Sequence, residues 1–95
     1  MRIKDICEIH SNFPDADFWL VRRGTKEAIG RPTNKFHKES IGIKITATDA
    51  VLPDYLFRWF QFIHSRKFFE QHATGALNLV HITSKFVSEL PVKFL

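Results

Sequence analysis

The chain has 95 residues, 44% of them hydrophobic, with four glycines and four prolines, a composition typical of a folded domain rather than a disordered segment. A single cysteine closes no internal disulfide, and no apolar run reaches the roughly 20 residues of a membrane-spanning helix. These features argue against a disulfide scaffold and against a membrane protein. They predict one soluble, cytoplasmic domain over residues 1–95.

The formal net charge is +4, but the positive charge is concentrated in the middle of the chain. Residues 18–48 contain seven Lys and Arg against two Glu, whereas residues 1–17 are net acidic. A concentrated basic segment suits a polyanionic partner, and an ordinary solvated basic face fits the charge alone equally well. We expect Glu27 and Glu39 to neutralise the bases around them.

The N-terminal half predicts short strands joined by polar loops. Residues 3–9 are expected to form a helical turn that leads into an extended segment. Residues 17–22 have a β-rich composition, and Ile at 41, 43 and 45 alternates with small or polar residues over 41–48, as in a half-buried strand. Turns and exposed loops are expected at 12–15, 23–25 and 30–34.

The C-terminal half opens with an aromatic helix. Pro53 is expected as its first residue, because proline suits that position, and the helix should continue to about Ser65. The predicted buried stripe is Leu52, Leu56, Trp59, Phe60 and Ile63. Tyr55, Phe57 and Phe62 put aromatic surface on other sides, so we expect the helix to be covered on more than one side, by the sheet and the C-terminal segment or by another protein.

Shorter elements complete the chain. A helical piece is expected around 68–72, a loop over 73–78 and β-like structure over 77–82. A final helix over 83–89 should be capped by Thr83 or Ser84 and ended by the following Leu-Pro pair, with an extended segment at 92–94. The predicted class is α/β (α+β), with a small mixed sheet packed against a central aromatic helix and a short C-terminal helix.

Catalytic and metal-binding motifs are not evident. The five histidines lack the spacing of a zinc-binding helix, and the chain has no glycine-rich loop of the kind that cradles nucleotide phosphates. Cys7 is expected to be a small core residue rather than a nucleophile. The sequence therefore predicts a protein that is not an enzyme and that has no metal site and no cofactor.

Three loops that contain glycine carry the candidate binding residues. Arginine donates two parallel hydrogen bonds to phosphate or to guanine, and hydroxyl or amide groups donate to phosphate or adenine. The candidates are Arg22, Arg23, Thr25 and Lys26 in the first loop, Arg31 and Lys35 in the second, and Thr74, Gly75 and Asn78 in the third. Any one of these loops is explained equally well as a solvent-facing turn, but three together favour a DNA-binding surface.

A set of short motifs, in order along the chain, resembles a known family. The motifs are Ile3–Ile9, Arg22–Thr25, Leu52–Leu56, Thr74–Leu79 and Ile82–Val92. Together they resemble the target recognition domains of type I restriction-modification specificity subunits. Where that family usually carries a long variable stretch, this chain has only residues 13–19.

The resemblance implies an α/β domain whose loops contact duplex DNA, while methylation and cleavage belong to separate subunits. We therefore expect a single non-catalytic recognition module that binds double-stranded DNA, either alone or as a homodimer. Two alternatives stay open. The first is a protein that docks on a restriction or methyltransferase subunit or on another host factor, and the second is a small Mg²⁺-dependent nuclease.

Overall fold

A computed structural model describes residues 1–76 and 79–92, apart from the side chain of residue 76. Its helices are α1 Ile3–Ile6, α2 Pro53–Ser65, α3 Phe68–His72 and α4 Ser84–Ser88. Its strands are β1 Cys7–Ser11, β2 Phe18–Leu20, β3 Arg23–Gly24, β4 Pro32–Thr33, β5 Ile41–Ile45, β6 Thr74–Ala76 and β7 Leu79–His81. The predicted α/β class is confirmed, but the one mixed sheet that was expected is replaced by two antiparallel sheets, because short strands at 23–24 and 74–76 pair with β7.

The strands form two antiparallel sheets. The larger sheet has the order β1-β5-β2-β4, and the smaller has the order β3-β7-β6. Strand β2 belongs to the larger sheet and β3 to the smaller one, with only Val21 and Arg22 between them. The chain therefore passes from one sheet to the other at this point.

Strand β5 lies in the middle of the core. The expected inward-facing residues Ile41, Ile43 and Ile45 are buried. Gly42 is buried as well, because Phe13 covers it so closely that a Cβ atom there would lie 2.7 Å from the Phe13 Cβ. The inward isoleucine face is therefore confirmed, and the opposite face is more covered than in a half-buried strand, since Gly42 is buried and Lys44 is partly exposed.

Helix α2 has the predicted bounds, with Pro53 in its first turn. Leu56 and Phe60 are fully buried, and the Phe60 ring packs edge-on against Phe18 with ring centroids 5.8 Å apart. Leu52 was wrongly assigned to the buried stripe. It precedes the helix with an extended backbone and is 67% exposed, because the helical spacing does not apply before the first turn.

The far side of α2 is less covered than expected. Trp59 and Ile63 are half-buried against the core, but Phe62 is 61% exposed within the described part of the chain. The expectation that the domain itself covers this helix on more than one side was therefore wrong at Phe62.

The two ends of the described chain meet beside α4. Thr83 caps the helix as predicted, since its hydroxyl accepts a hydrogen bond from the Phe86 backbone N–H at 3.0 Å. The Ile3 N–H donates to the Leu90 carbonyl at 2.9 Å. The extended segment expected at 92–94 lies mostly outside the described residues.

Three segments that were expected to be loops contain short strands. β3, β4 and β6 fall inside the stretches 23–25, 30–34 and 73–78, and each pairs with a neighbouring strand. Strands of two or three residues are too short to show a period of their own, so only their partners reveal them.

Among the described residues, no helix is long and apolar enough to cross a bilayer.

Candidate functional site

An open groove of about 480 Å³ lies where the chain passes from the larger sheet to the smaller one. Four of the nine predicted binding residues line it, namely Arg22, Arg23, Arg31 and Lys35. We call it the basic groove, lined by residues 21–23, 31, 33, 35–37, 39 and 40. It joins the first and second predicted loops into one surface.

Backbone hydrogen bonds around Val21 hold the two sides of the basic groove together. The Val21 N–H donates to the Arg31 carbonyl at 3.1 Å, and the Gly30 N–H donates to the Val21 carbonyl at 2.8 Å. The Arg22 carbonyl accepts from the Ile82 N–H at 2.9 Å, which ties the same segment to the end of β7. The backbone that carries these arginines is therefore paired rather than a free loop.

The cations of the basic groove have no ion-pair partner among residues 1–76 and 79–92. The ion pairs in that part of the chain join Arg2 and Lys4 to Glu89, and His10 to Glu8. Glu39 is the one carboxylate that lines the groove among the described residues. Glu27 and Glu39 thus form no direct ion pair with a neighbouring base among the described residues, and with Glu39 as its one carboxylate the groove keeps an excess of positive charge.

One wall of the basic groove was missed by the sequence analysis. Phe36 is 46% exposed, and its ring makes an edge contact with the buried Trp19 at a centroid distance of 5.8 Å. The His37 Nδ1 accepts a hydrogen bond from the Glu39 N–H at 3.2 Å. The available signal was a lone phenylalanine between Lys35 and His37 in a polar stretch.

Thr25 and Lys26 lie outside the basic groove. The Thr25 hydroxyl accepts from the Ala28 N–H at 3.2 Å and closes a turn. Lys26 lines a separate cleft of about 200 Å³ together with Glu27 and His64. The structure thus divides the first predicted loop between two surfaces.

The third predicted loop contributes one residue to the same face as Arg23. Arg23, His81 and Thr74 are register partners across β3, β7 and β6, so their side chains point to one side of the smaller sheet. The neighbouring row contains the buried Val80, which means that the Arg23 row faces away from the core. Thr74 lies two strand spacings, about 10 Å, from Arg23 and does not line the basic groove.

Gly75 has a structural reason to be glycine, and Asn78 lies outside the described residues. At Gly75 the backbone φ is +132°, and a Cβ atom would lie 2.5 Å from the Leu79 carbonyl oxygen. A side chain at this position would push β6 away from β7. Gly75 is therefore explained by the strand pairing alone.

Cys7 and the metal-ligating side chains were the remaining candidates for a site among the described residues. Burial raises the pKa of the Cys7 thiol, and the nearby Asp17 charge raises it further by a smaller amount, to about 12. Cys7 therefore stays protonated at neutral pH. The described residues contain no cluster of three or more metal-ligating side chains. The basic groove is therefore the strongest candidate site in this part of the chain.

Comparison of the chain with protein-family models, with curated proteins and with solved structures found no match. The resemblance to target recognition domains therefore stays a prediction from the motifs. The function proposed below is therefore argued from the geometry of the basic groove.

Proposed function

We propose that the protein is a non-catalytic module that binds duplex DNA through the basic groove. One observation carries this proposal. Two basic segments that are separate in sequence, Arg22–Arg23 and Arg31–Lys35, line one groove, and their cations have no ion pairs among the described residues. Unpaired guanidinium groups grouped on one surface are typical of phosphate recognition.

The groove offers side chains for the two kinds of contact that a DNA-binding surface makes, one to the phosphate backbone and one to the base edges. Lys35 and the three arginines attract the phosphate backbone, which accounts for most non-specific affinity. An arginine fork is also the side chain that most often reads guanine in the major groove. Thr74, on the same face of the smaller sheet as Arg23, extends the footprint beyond the groove itself.

A homodimer is part of this proposal. A single small groove offers few phosphate contacts, and a two-fold pair of grooves doubles them. In keeping with the motif resemblance, DNA-modifying subunits that act beside the module are its proposed protein partners. Neither the dimer nor these partners is required for the groove to bind DNA.

The proposal is tested by titrating a fluorescein-labelled duplex with the wild-type protein and with Arg23→Ala/Arg31→Ala. We expect this variant to bind roughly 10- to 100-fold more weakly. The slope of log K against log salt should also become less steep by about 0.9 for each lost phosphate contact. Circular dichroism checks that the variant is folded.

The matched control is Arg58→Ala/Arg66→Ala. It removes the same charge from exposed positions on α2 and its C-cap that do not line the groove. We expect nearly wild-type affinity for this control. Equal weakening by both double variants, or salt-independent binding, would show that the groove is not the DNA site.

A further inference from the structure

We infer that the basic groove holds one unpaired base, with Phe36 as the stacking platform, so that the protein prefers DNA containing a base outside the helical stack. This inference rests on the proposed function and adds the form of DNA that the groove takes. The wall of the groove contains an aromatic ring and an acidic residue, Phe36 and Glu39, as well as the cations that would bind phosphate.

The first observation is an oriented aromatic ring at the edge of a cationic groove. Phe36 lines the basic groove and is 46% exposed, and its ring makes an edge contact with Trp19 at a centroid distance of 5.8 Å. Trp19 is itself held by a hydrogen bond from its Nε1 to the Phe13 carbonyl at 2.9 Å. Aromatic faces beside phosphate-binding cations are typical of surfaces that bind unpaired nucleotides.

The second observation is the carboxylate of Glu39 in the same groove. A carboxylate repels phosphate, so its presence does not suit a surface that contacts the backbone alone. It does suit the exocyclic amine of a base, since carboxylates accept hydrogen bonds from such donors. In a paired base one N–H of this amine is already used in the base pair, whereas both N–H groups are free when the base is unpaired.

The third observation is the size of the groove. Its volume of about 480 Å³ lies within the range of roughly 300–1,000 Å³ that is usual for small-ligand pockets. A groove that contacts only the outside of a duplex does not need such a pocket. Arg31 and Lys35 line the same pocket as Phe36 and would bind the phosphates on either side of the inserted base.

The experiment compares a fully paired duplex with the same duplex carrying one bulged 2-aminopurine, whose fluorescence falls when it stacks on an aromatic ring. We expect the bulged duplex to bind more tightly by roughly 5- to 150-fold, the effect of one stacked base. Its fluorescence should be quenched when the wild-type protein binds. Equal affinity for the two duplexes, or no quenching, would overturn the inference.

Phe36→Leu provides the residue-level test, because leucine keeps an apolar side chain but has no π face. We expect this variant to lose the preference for the bulged duplex, so that the ratio of its affinities for the two duplexes falls to about one. Phe62→Leu is the control, since Phe62 is exposed on α2 and does not line the groove. Retention of the bulge preference in Phe36→Leu would contradict the assigned role.

The affinities for the two duplexes distinguish a failure of this inference from a failure of the proposed function. If the protein binds neither duplex, the proposed function itself is wrong. If it binds both equally through the groove arginines, the proposed function stands and the role of Phe36 is rejected. Because quenching is read on the wild-type protein, the test does not depend on how well any variant folds.

Discussion

At the scale of single residues, Gly30 connects the basic groove to the core. Its backbone φ is +78°, and a Cβ atom there would lie 2.1 Å from the Phe69 ring. We expect Gly30→Ala to lower the free energy of unfolding by about 2–4 kcal/mol, because backbone strain adds to overpacking. Urea denaturation followed by tryptophan fluorescence measures this loss.

Gly24→Ala is the matched control for that variant. Gly24 also has a positive φ, of +147°, but an added Cβ would meet only the Ala28 Cβ at 4.0 Å. It should therefore show the backbone strain without the clash. If the two alanine variants lost the same stability, the close packing of Phe69 on Gly30 would be the wrong explanation.

Cys7 gives a residue-scale prediction about pH. Burial and the Asp17 charge raise the pKa of the thiol in the folded protein to about 12, from the ordinary value of 9.0. The unfolded state therefore loses its thiol proton first as the pH rises. The contribution of Cys7 to stability should be complete below about pH 9 and lost between pH 9 and about 12.

Comparing the unfolding free energies of the wild type and Cys7→Ala across this pH window measures that contribution. The difference between the two proteins should shrink as the pH rises above 9. In addition, the native thiol should react with a thiol-specific dye only after urea is added. Rapid labelling of the folded protein at neutral pH would contradict the buried, protonated state of Cys7.

At the scale of elements, helix α4 depends on its cap. The Thr83 hydroxyl accepts from the Phe86 N–H at 3.0 Å, which satisfies a donor that the first turn leaves unpaired. We expect Thr83→Ala to cost about 1 kcal/mol of stability. Thr83→Ser keeps the hydroxyl and should lose much less stability. Thermal denaturation of both variants measures the two losses. Equal losses would mean that the cap contributes nothing.

Elements with a strong local signal could be predicted from the sequence. Pro53 and the spacing of Leu56 and Phe60 are enough to define α2, and Thr83 marks the start of α4. β3 and β6 could not be predicted, because each exists only through pairing with β7. Their sequences contain glycine, which usually indicates a turn.

At the scale of the whole molecule, the basic groove could be predicted only in part. The charge count identified Arg22, Arg23, Arg31 and Lys35, but it could not separate them from Lys26, which lies in another cleft. Convergence of the groove residues depends on the hydrogen bonds at Val21, which join segments that are not adjacent in sequence.

The exposure of the aromatic side chains could also be predicted only in part from the sequence. The exposure of Phe36 and of Phe62 depends on which neighbours fold over each ring. The helical spacing separated Phe62 from the buried Phe60, but it gave no account of whether another segment would cover Phe62. Hydrophobicity favours burial on average but does not decide the position of any one side chain.

The central claim is that two basic segments form one DNA-binding groove. Its most direct test is an NMR titration of ¹⁵N-labelled protein with a short duplex. We expect the backbone amides of residues 21–23, 31 and 33–40 to shift together along one binding curve, while those around Arg58 on α2 stay in place. Shifts confined to α2, or to only one of the two basic segments, would contradict the claim.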